Sequence, residues 1–431
     1  MTNRRPSPPE AVRWIARKLQ EAGHETWTVG GAVRDALIGR PSEDWDLATH
    51  ARPGQVQKLF RTVPIGVDHG TVGILRGGVL YEITTFRQDV ETDGRHAVVR
   101  FADSIADDLA RRDFTINAIA WHPLREELFD PYEGRVDLEA GLVRTVGLPE
   151  ERFGEDYLRI LRALRFAGRF SFAIEDGTWA AMCANVESLP GLSAERIREE
   201  LLKVLDQDAR PSVVLDLYAR CGALRVLYPE LEALRLRGEA GPWKLILGTV
   251  DELPRGRPGL RLAALLRELD PTSVAQLLSR LRLSNVQVDE TAHRCAAEPL
   301  PDTSATDVAM RRWLARTGPQ RVSAVARLDL ARARAEGGDA GTQRMRDVVG
   351  SWRRLRAIRS SGVPLAVGDL ALTGRDLIRM GYRPGPRFGD VLDALLEQVL
   401  EDPSRNVPEV LQREAGLWLD GPSADGAGED A

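Results

Sequence analysis

Cysteine is nearly missing from this chain: Cys183, Cys221 and Cys295 are the only three in 431 residues, odd in number and far apart. That spacing excludes a disulfide framework and a cysteine-based zinc site, and it leaves ordinary buried thiols. Long apolar runs are missing too. No stretch approaches the roughly 20 apolar residues of a membrane span. The start "MTNRRPSPPEAVRWIARKLQ" has no signal-type apolar region, so a cytosolic protein with no membrane partner is expected. Lysine is scarce, occurring only at Lys18, Lys58, Lys203 and Lys244, so the positive charge is almost all arginine. The formal net charge of −5 gives no hint of a nucleic-acid partner, but its distribution does. From Arg311 to Arg359 there are 13 Arg against 4 Asp and Glu, whereas the C-terminal "DGPSADGAGEDA" is acidic and expected to be disordered. The basic stretch suits a phosphate backbone, or is a solvated face enriched in arginine by composition.

At 431 residues the chain is long enough for two to four sub-domains with ample core. A first helix is expected over about Pro9 to Ala22, then strand, glycine turn and helix in "TWTVGGAVRDALIGR". "DWDLAT", "TVGILRGGVLYEITTFR" and "AVVRFA" are rich in β-formers, with Gly77 and Gly78 placed for a hairpin turn. From about Pro149 apolar residues recur at helical spacing, as in "EDYLRILRALRFAGRF", "AERIREELLKVL" and "FGDVLDALLEQVLED". The fold class is therefore α+β: a small head with a mixed β-sheet, followed by an all-α remainder. Breaks are expected near "GLPEERFGED", "DELPRGRPG", "EPLPDTSATD" and "RSSGVPLAVGD".

Gly30 and Gly31 fall between a strand and a helix, where backbone N–H groups can approach an anion, and Arg34 lies one turn on to clamp a phosphate. The spacing is neither a dinucleotide fingerprint nor a P-loop. A tight turn with no ligand is the other reading. Asp44 and Asp46 follow; on a strand, positions i and i+2 share one face, with Trp45 on the other. Carboxylates so placed repel each other unless a cation intervenes. Two Mg2+ ions bridging them to a triphosphate would relieve the repulsion and support an in-line displacement. An exposed acidic strand edge is the alternative. Glu82 in "YEITTFR" is a third candidate carboxylate, or an ordinary solvent-facing strand residue.

"GGAVRDALIG", "EDWDLAT", "GVDHGTVGIL", "EITTFR", "DDLARRDFTINAIAW" and "EDYLRILRALRFAGRF", in this order, resemble the tRNA nucleotidyltransferase and poly(A) polymerase family of the polymerase-β superfamily, and more narrowly its bacterial CCA-adding type. The likeness is dense over about Trp27 to Phe172, and "LTGRDLIRMGYRPGPRFGDVLDALLEQVL" is similar to the tail module of these enzymes. The resemblance implies a catalytic head over residues 1–148, a base-recognising neck over 149–250, and a tRNA-binding body over 251–360 and tail over 361–418, with residues 419–431 disordered. It implies Mg2+ as cofactor, CTP and ATP as substrates and the tRNA 3′ end as RNA partner. Gly30, Gly31 and Arg34 would hold the triphosphate, Asp44 and Asp46 the metals, and Arg111, Arg112, Asp113 and Asn117 the ribose and phosphates.

On a helix, Asp156, Arg159 and Arg162 would share one face. Cytosine and adenine both present an amine donor beside a ring-nitrogen acceptor. An Asp accepting from the amine and an Arg donating to the ring nitrogen would select C and A together and reject G and U. The family uses its matching Asp and Arg this way, so the resemblance carries that role to Asp156 and Arg159. In relatives a loop between "TTFR" and "RRD" contributes to switching from C to A. Here "DGRH" (Asp93 to His96) is retained and the interval is full length, favouring CCA or A addition over CC addition alone. A bacterial poly(A) polymerase is the nearest alternative. The chain has no His-Asp dipeptide, so the phosphohydrolase metal site of some relatives is not expected.

Overall fold

A computed structural model describes residues 4–66, 70–92, 97–237 and 241–420. The acidic C-terminus and "DGRH" lie outside the described residues. The chain divides into two compact units, Met1–Arg237 with Gln276–Leu283, and Gly238–Ala275 with Ser284–Ala431.

In the first unit, helix α1 (Glu10–Glu21) buries Val12, Ile15, Ala16 and Leu19, the i, i+3, i+4, i+7 stripe of an amphipathic helix. Strands β1 (Thr26–Val29), β2 (Asp46–Thr49), β3 (Thr62–Gly66), β4 (Thr71–Arg76), β5 (Val79–Thr85), β6 (Arg87–Thr92), β7 (Ala97–Phe101), β8 (Ala120–His122) and β9 (Glu127–Phe129) follow. Seven of them form one mixed sheet in the order β3-β4-β5-β2-β1-β8-β9, while β6 and β7 pair as a separate hairpin. Only β2 and β5 pair in parallel in the large sheet; its other pairs are antiparallel. Gly77 and Gly78 make the β4–β5 turn at φ +60° and +81°, a backbone conformation open to glycine.

One sheet face carries Trp45, Leu47, Val72, Ile74, Tyr81 and Ile83 against α1. Each such fully buried side chain contributes about 1.5–3 kcal/mol of transfer free energy. Trp45 is core, as its place between two carboxylates suggests. The other face begins a second core, with Trp27, Val29, Ala48, Phe86, Leu109 and Ala120. Helices α2 (Gly31–Leu37) and α3 (Pro53–Leu59) join the α1-side core through Ala32 and Val56, whereas α4 (Ile105–Ala110) and a 3-10 turn at Thr115–Asn117 lie over this second face. Next come α5 (Gly134–Ala140), α6 (Pro149–Glu155), α7 (Leu158–Phe170), α8 (Asp176–Asn185) and α9 (Ala194–Gln207). "GLPEERFGED", expected as a break, thus contains a helix: Pro149 opens it at a position where its missing N–H costs nothing. Buried Arg165 of α7 donates to Glu200 of α9 at 2.7 Å, tying those helices together.

The second unit is helical throughout its described residues. One core gathers Met310, Trp313, Leu314, Val322, Val325 and Leu355; another gathers Leu370, Leu372, Leu377, Val391, Leu395, Leu411 and Ala415. The basic stretch occupies helices Asp307–Thr317, Val322–Glu336 and Gly338–Ser360. It is partly neutralised by acids: Arg316 pairs with Glu298, Arg332 with Glu268, and Arg354 with Asp307 at the start of the first of these helices. Exposed Arg327, Arg334, Arg346, Arg353, Arg356 and Arg359 form no ion pair among the described residues.

Candidate active site

Register places the acidic residues on the sheet. Val29 lies opposite Asp46, Leu47 is paired with Ile83, and Glu82 lies opposite Gly73, which lies opposite Val63. Val63, Gly73, Glu82, Asp46 and Val29 therefore form one rung on the face away from α1. Asp44 is not on the strand, contrary to the expectation that it shares a strand face with Asp46. β2 begins at Asp46, and the Trp45 indole donates to the Ser42 carbonyl at 3.0 Å, fixing a bend ahead of it. Asp44 still acts on Asp46 through charge. Burial, then the charges of Asp44 and Glu82, push the Asp46 carboxyl up to about 6 against the opposing pull of Arg112. Among the described residues no three His, Cys, Asp or Glu side chains form a metal cage.

Facing these carboxylates is the glycine turn. Gly30 has φ +73°, and a Cβ built there would meet an Arg112 guanidinium nitrogen at 3.0 Å, so a side chain would obstruct that guanidinium; a Cβ at Gly31 would stand 3.6 Å from the Arg34 guanidinium. Asp108, 1 % exposed, aims the arginines: Arg112 donates to one carboxylate oxygen at 2.9 Å and Arg111 to the other at 3.0 Å. Burial pushes the Asp108 carboxyl upward, but the two guanidiniums outweigh it and hold it below the usual range. Asp108 escaped the sequence reading, although its i, i+3 and i, i+4 spacing to Arg111 and Arg112 was a signal.

Arg34 is only 4 % exposed. Its Nε donates to Asp35 at 2.9 Å and one terminal nitrogen to the Asn117 side-chain oxygen at 2.6 Å, while its guanidinium stacks over the Phe166 and Phe170 rings. Asn117 in turn donates to Asp113 at 3.0 Å, and Asp113 accepts from Arg162 at 2.7 Å and from the Phe114 backbone at 2.9 Å. The buried chain Arg162–Asp113–Asn117–Arg34–Asp35 thus links α7 to the glycine turn. Burial would raise the Asp113 carboxyl, but Arg162 and the hydrogen bonds hold it at about 2.

Asp156 and Arg159 do not share a helix, as the sequence reading had them do. The helix breaks at Asp156, φ −156°, between α6 and α7. Asp156 caps the Leu158 N–H at 3.0 Å and accepts from Arg196 of α9 at 2.7 Å; Arg159 donates to Glu155 at 2.5 Å. Arg196 and Glu155 were not singled out from sequence. A cavity of about 560 Å³ collects these groups: Gly30, Gly31, Arg34, Asp46, Glu82, Arg111, Arg112, Asp113, Asn117, Asp156, Arg159 and Arg162 all line it, and Asp44 does not. Thr71, Thr84, Arg87, Asp108, Phe166 and Arg196 also line it, with Val29, Leu47, Ala48 and Leu158 supplying apolar wall. It is a volume suited to a small polar ligand. Asp46 and Glu82 on the sheet, facing arginines gathered mainly on the helical side, suit an anion bridged by cations.

Such a sheet, cradle and cavity define a nucleotidyltransferase, and matches to known proteins agree. Residues 26–144 match the family described as "Poly A polymerase head domain", 171–234 that described as "Probable RNA and SrmB- binding site of polymerase A", and 261–415 that described as "tRNA nucleotidyltransferase domain 2 putative". The CCA-adding enzyme of Limosilactobacillus fermentum is 35% identical over 429 residues, 96% of this chain and 98% of that protein. The CCA-adding enzyme of Geobacillus kaustophilus is also 35% identical, over 93% of this chain and 95% of that protein. The crystal structure of the Bacillus stearothermophilus CCA-adding enzyme in complex with CTP superposes with a TM-score of 0.76 at 32% identity, over 94% of this chain and 98% of that one. The Thermotoga maritima CCA-adding enzyme complexed with tRNA shares the fold, with a TM-score of 0.55 at 22% identity, over 95% of this chain and 96% of that one. The chain belongs to the CCA-adding tRNA nucleotidyltransferases of the poly(A) polymerase family.

Proposed function

We propose that this protein extends the 3′ end of tRNA by C, C and A without a template, taking CTP and then ATP and releasing pyrophosphate. The observation that carries the reading is the opposition, across one cavity, of carboxylates that form no ion pair among the described residues and arginines gathered around Gly30, with Asp156 and Arg159 also lining it. Asp44 and Asp46 would supply hard oxygen donors for divalent cations, with Glu82 adding negative charge beside them, and the raised Asp46 carboxyl fits a site that lacks its countercharge. Mg2+ held there would neutralise the triphosphate and activate the attacking hydroxyl.

The chain's own groups do the positioning. Backbone at Gly30 and Gly31, with Arg112 and Arg111 aimed by Asp108, holds the phosphates. Arg34 keeps Asn117 in place beneath them, and Asp113 and Arg162 fix the ribose side of the cavity. Asp156 accepts from the exocyclic amine of C or A and Arg159 donates to the ring nitrogen; Arg196 and Glu155 orient the pair until a base arrives. The catalytic benefit comes from orientation and fixed charge, without a covalent intermediate.

We further assign residues 1–148 as head, 149–250 as neck, 251–360 as body and 361–418 as tail, with the exposed arginines from Arg327 to Arg359 as contacts to tRNA phosphates. No helix of the described residues is long and apolar enough to cross a membrane, and a cytoplasmic site of action fits a tRNA substrate. Labelled CTP and ATP supplied with tRNA ending before CCA, or after CC, test the reading by product length. Three and one added residues, respectively, are expected. A chain that adds A only, CC only or a poly(A) tail would overturn the CCA assignment.

A further inference from the structure

The rung that carries Glu82 and Asp46 continues onto an apolar surface that the cavity does not use. Leu80 lies two residues before Glu82 on β5 and therefore on the same face; Leu75 of β4 lies opposite Leu80, and Val63 of β3 lies opposite Gly73. Ile65 joins them, because a Cβ at Gly73 would stand 2.6 Å from the Ile65 side chain and 2.9 Å from that of Leu80. Glycine at 73 is what lets these two side chains close over the strand beside Glu82. All four are exposed: Leu75 by 62%, Leu80 by 44%, Val63 by 43% and Ile65 by 42%. A contiguous exposed apolar surface of this kind marks a binding surface.

Along β5 the carboxylate divides two territories. Thr84, on the side of Glu82 away from Leu80, lines the cavity with its partner Thr71, whereas Leu80 and Leu75 do not line it. In an in-line displacement the attacking hydroxyl and the leaving pyrophosphate stand on opposite sides of the reacting phosphorus. With the triphosphate in the cavity, the hydroxyl comes from the other side of the carboxylates, where the apolar surface begins. The edge strand β3 argues against another β-strand as occupant: Pro64 removes a donor and the register shifts between Pro64 and Gly66.

We propose that Val63, Ile65, Leu75 and Leu80 form a shelf on which the terminal nucleotides of the RNA being extended rest. The proposal builds on the CCA-adding function proposed above. An aliphatic shelf grips any base through its face and reads no edge. That suits a primer end whose last base changes after each addition while the incoming nucleotide is selected elsewhere.

The test uses the full chain, a short acceptor minihelix ending before CCA, and CTP. In the double variant Leu75→Thr/Leu80→Thr both positions keep β propensity and lose apolar reach. Its kcat/KM for the minihelix should fall about tenfold or more, chiefly through KM, with the KM for CTP unchanged. Leu75→Met/Leu80→Met should restore it. A minihelix carrying 4-thiouridine as its last nucleotide should crosslink to the β3–β5 segment of the wild type and less to the threonine variant. If the wild type incorporates CTP but the threonine variant matches it in minihelix kinetics, the shelf is overturned and the function stands. If the wild type incorporates no CTP, both fall.

Discussion

On the strand side of the cavity, Asp46 and Glu82 have no ion pair among the described residues; on the helical side Asp108, Asp113 and Asp156 each hold at least one arginine. The two sets differ in what they are built to do. A buried carboxylate bonded to a guanidinium is electrically finished, and its service is to aim the arginine's remaining N–H groups at a ligand. A carboxylate pressed against another carboxylate is unfinished, and it stores a repulsion that a cation relieves. On the function proposed above, the paired set would shape the binding of nucleotide and the unpaired set would hold metal.

Removing divalent cations breaks the comparison most severely. Chelation should reduce labelled CTP incorporation to background, and added Mg2+ should restore it, with tRNA binding retained through the helical unit. Next in size is the paired wall. Asp156→Ala or Arg159→Ala should relax discrimination of CTP against UTP and GTP by about 10- to 100-fold per position, read from competing kcat/KM values; unchanged selectivity would reduce the pair to a structural link. Asp113→Asn strands Arg162 and should cost about 2 kcal/mol in denaturant unfolding. The Asp113 carboxyl sits at about 2, below its unfolded value, so its contribution is present above about pH 4 and is lost as pH falls toward 2. The stability gap between wild type and Asp113→Asn should close over that range. A further effect runs in the opposite direction. Asp46 is raised to about 6, so ionising it costs metal-free protein stability as pH rises from about 4 through 6. Metal-free Asp46→Asn should therefore melt higher than wild type at pH 8, with the difference vanishing near pH 4.

Much of this was legible in the chain because it is local. The β4–β5 hairpin, the α1 stripe and the strand–glycine–helix turn follow from residues within a few positions of one another. What stayed hidden depends on partners far along the chain. Arg162 finds Asp113 across 49 residues and Arg196 finds Asp156 across 40, so the arginines could be named but not their bonds. The helix break at Asp156 was masked by an unbroken apolar period in "EDYLRILRALRF", where tertiary bonding overrides the pattern. Arg34 reads as a free clamp in sequence, yet it is held by Asp35 and Asn117 and stacked against Phe166 and Phe170, while Arg112 also stands at the turn.

The central claim is that the unpaired carboxylates are the metal seat of the reaction. Its most direct test is the single-turnover rate of CMP addition to tRNA by Asp46→Asn, which keeps shape and removes one negative charge. The account predicts no product above background at saturating Mg2+, with tRNA affinity and fold intact. A rate close to that of the wild type would contradict it.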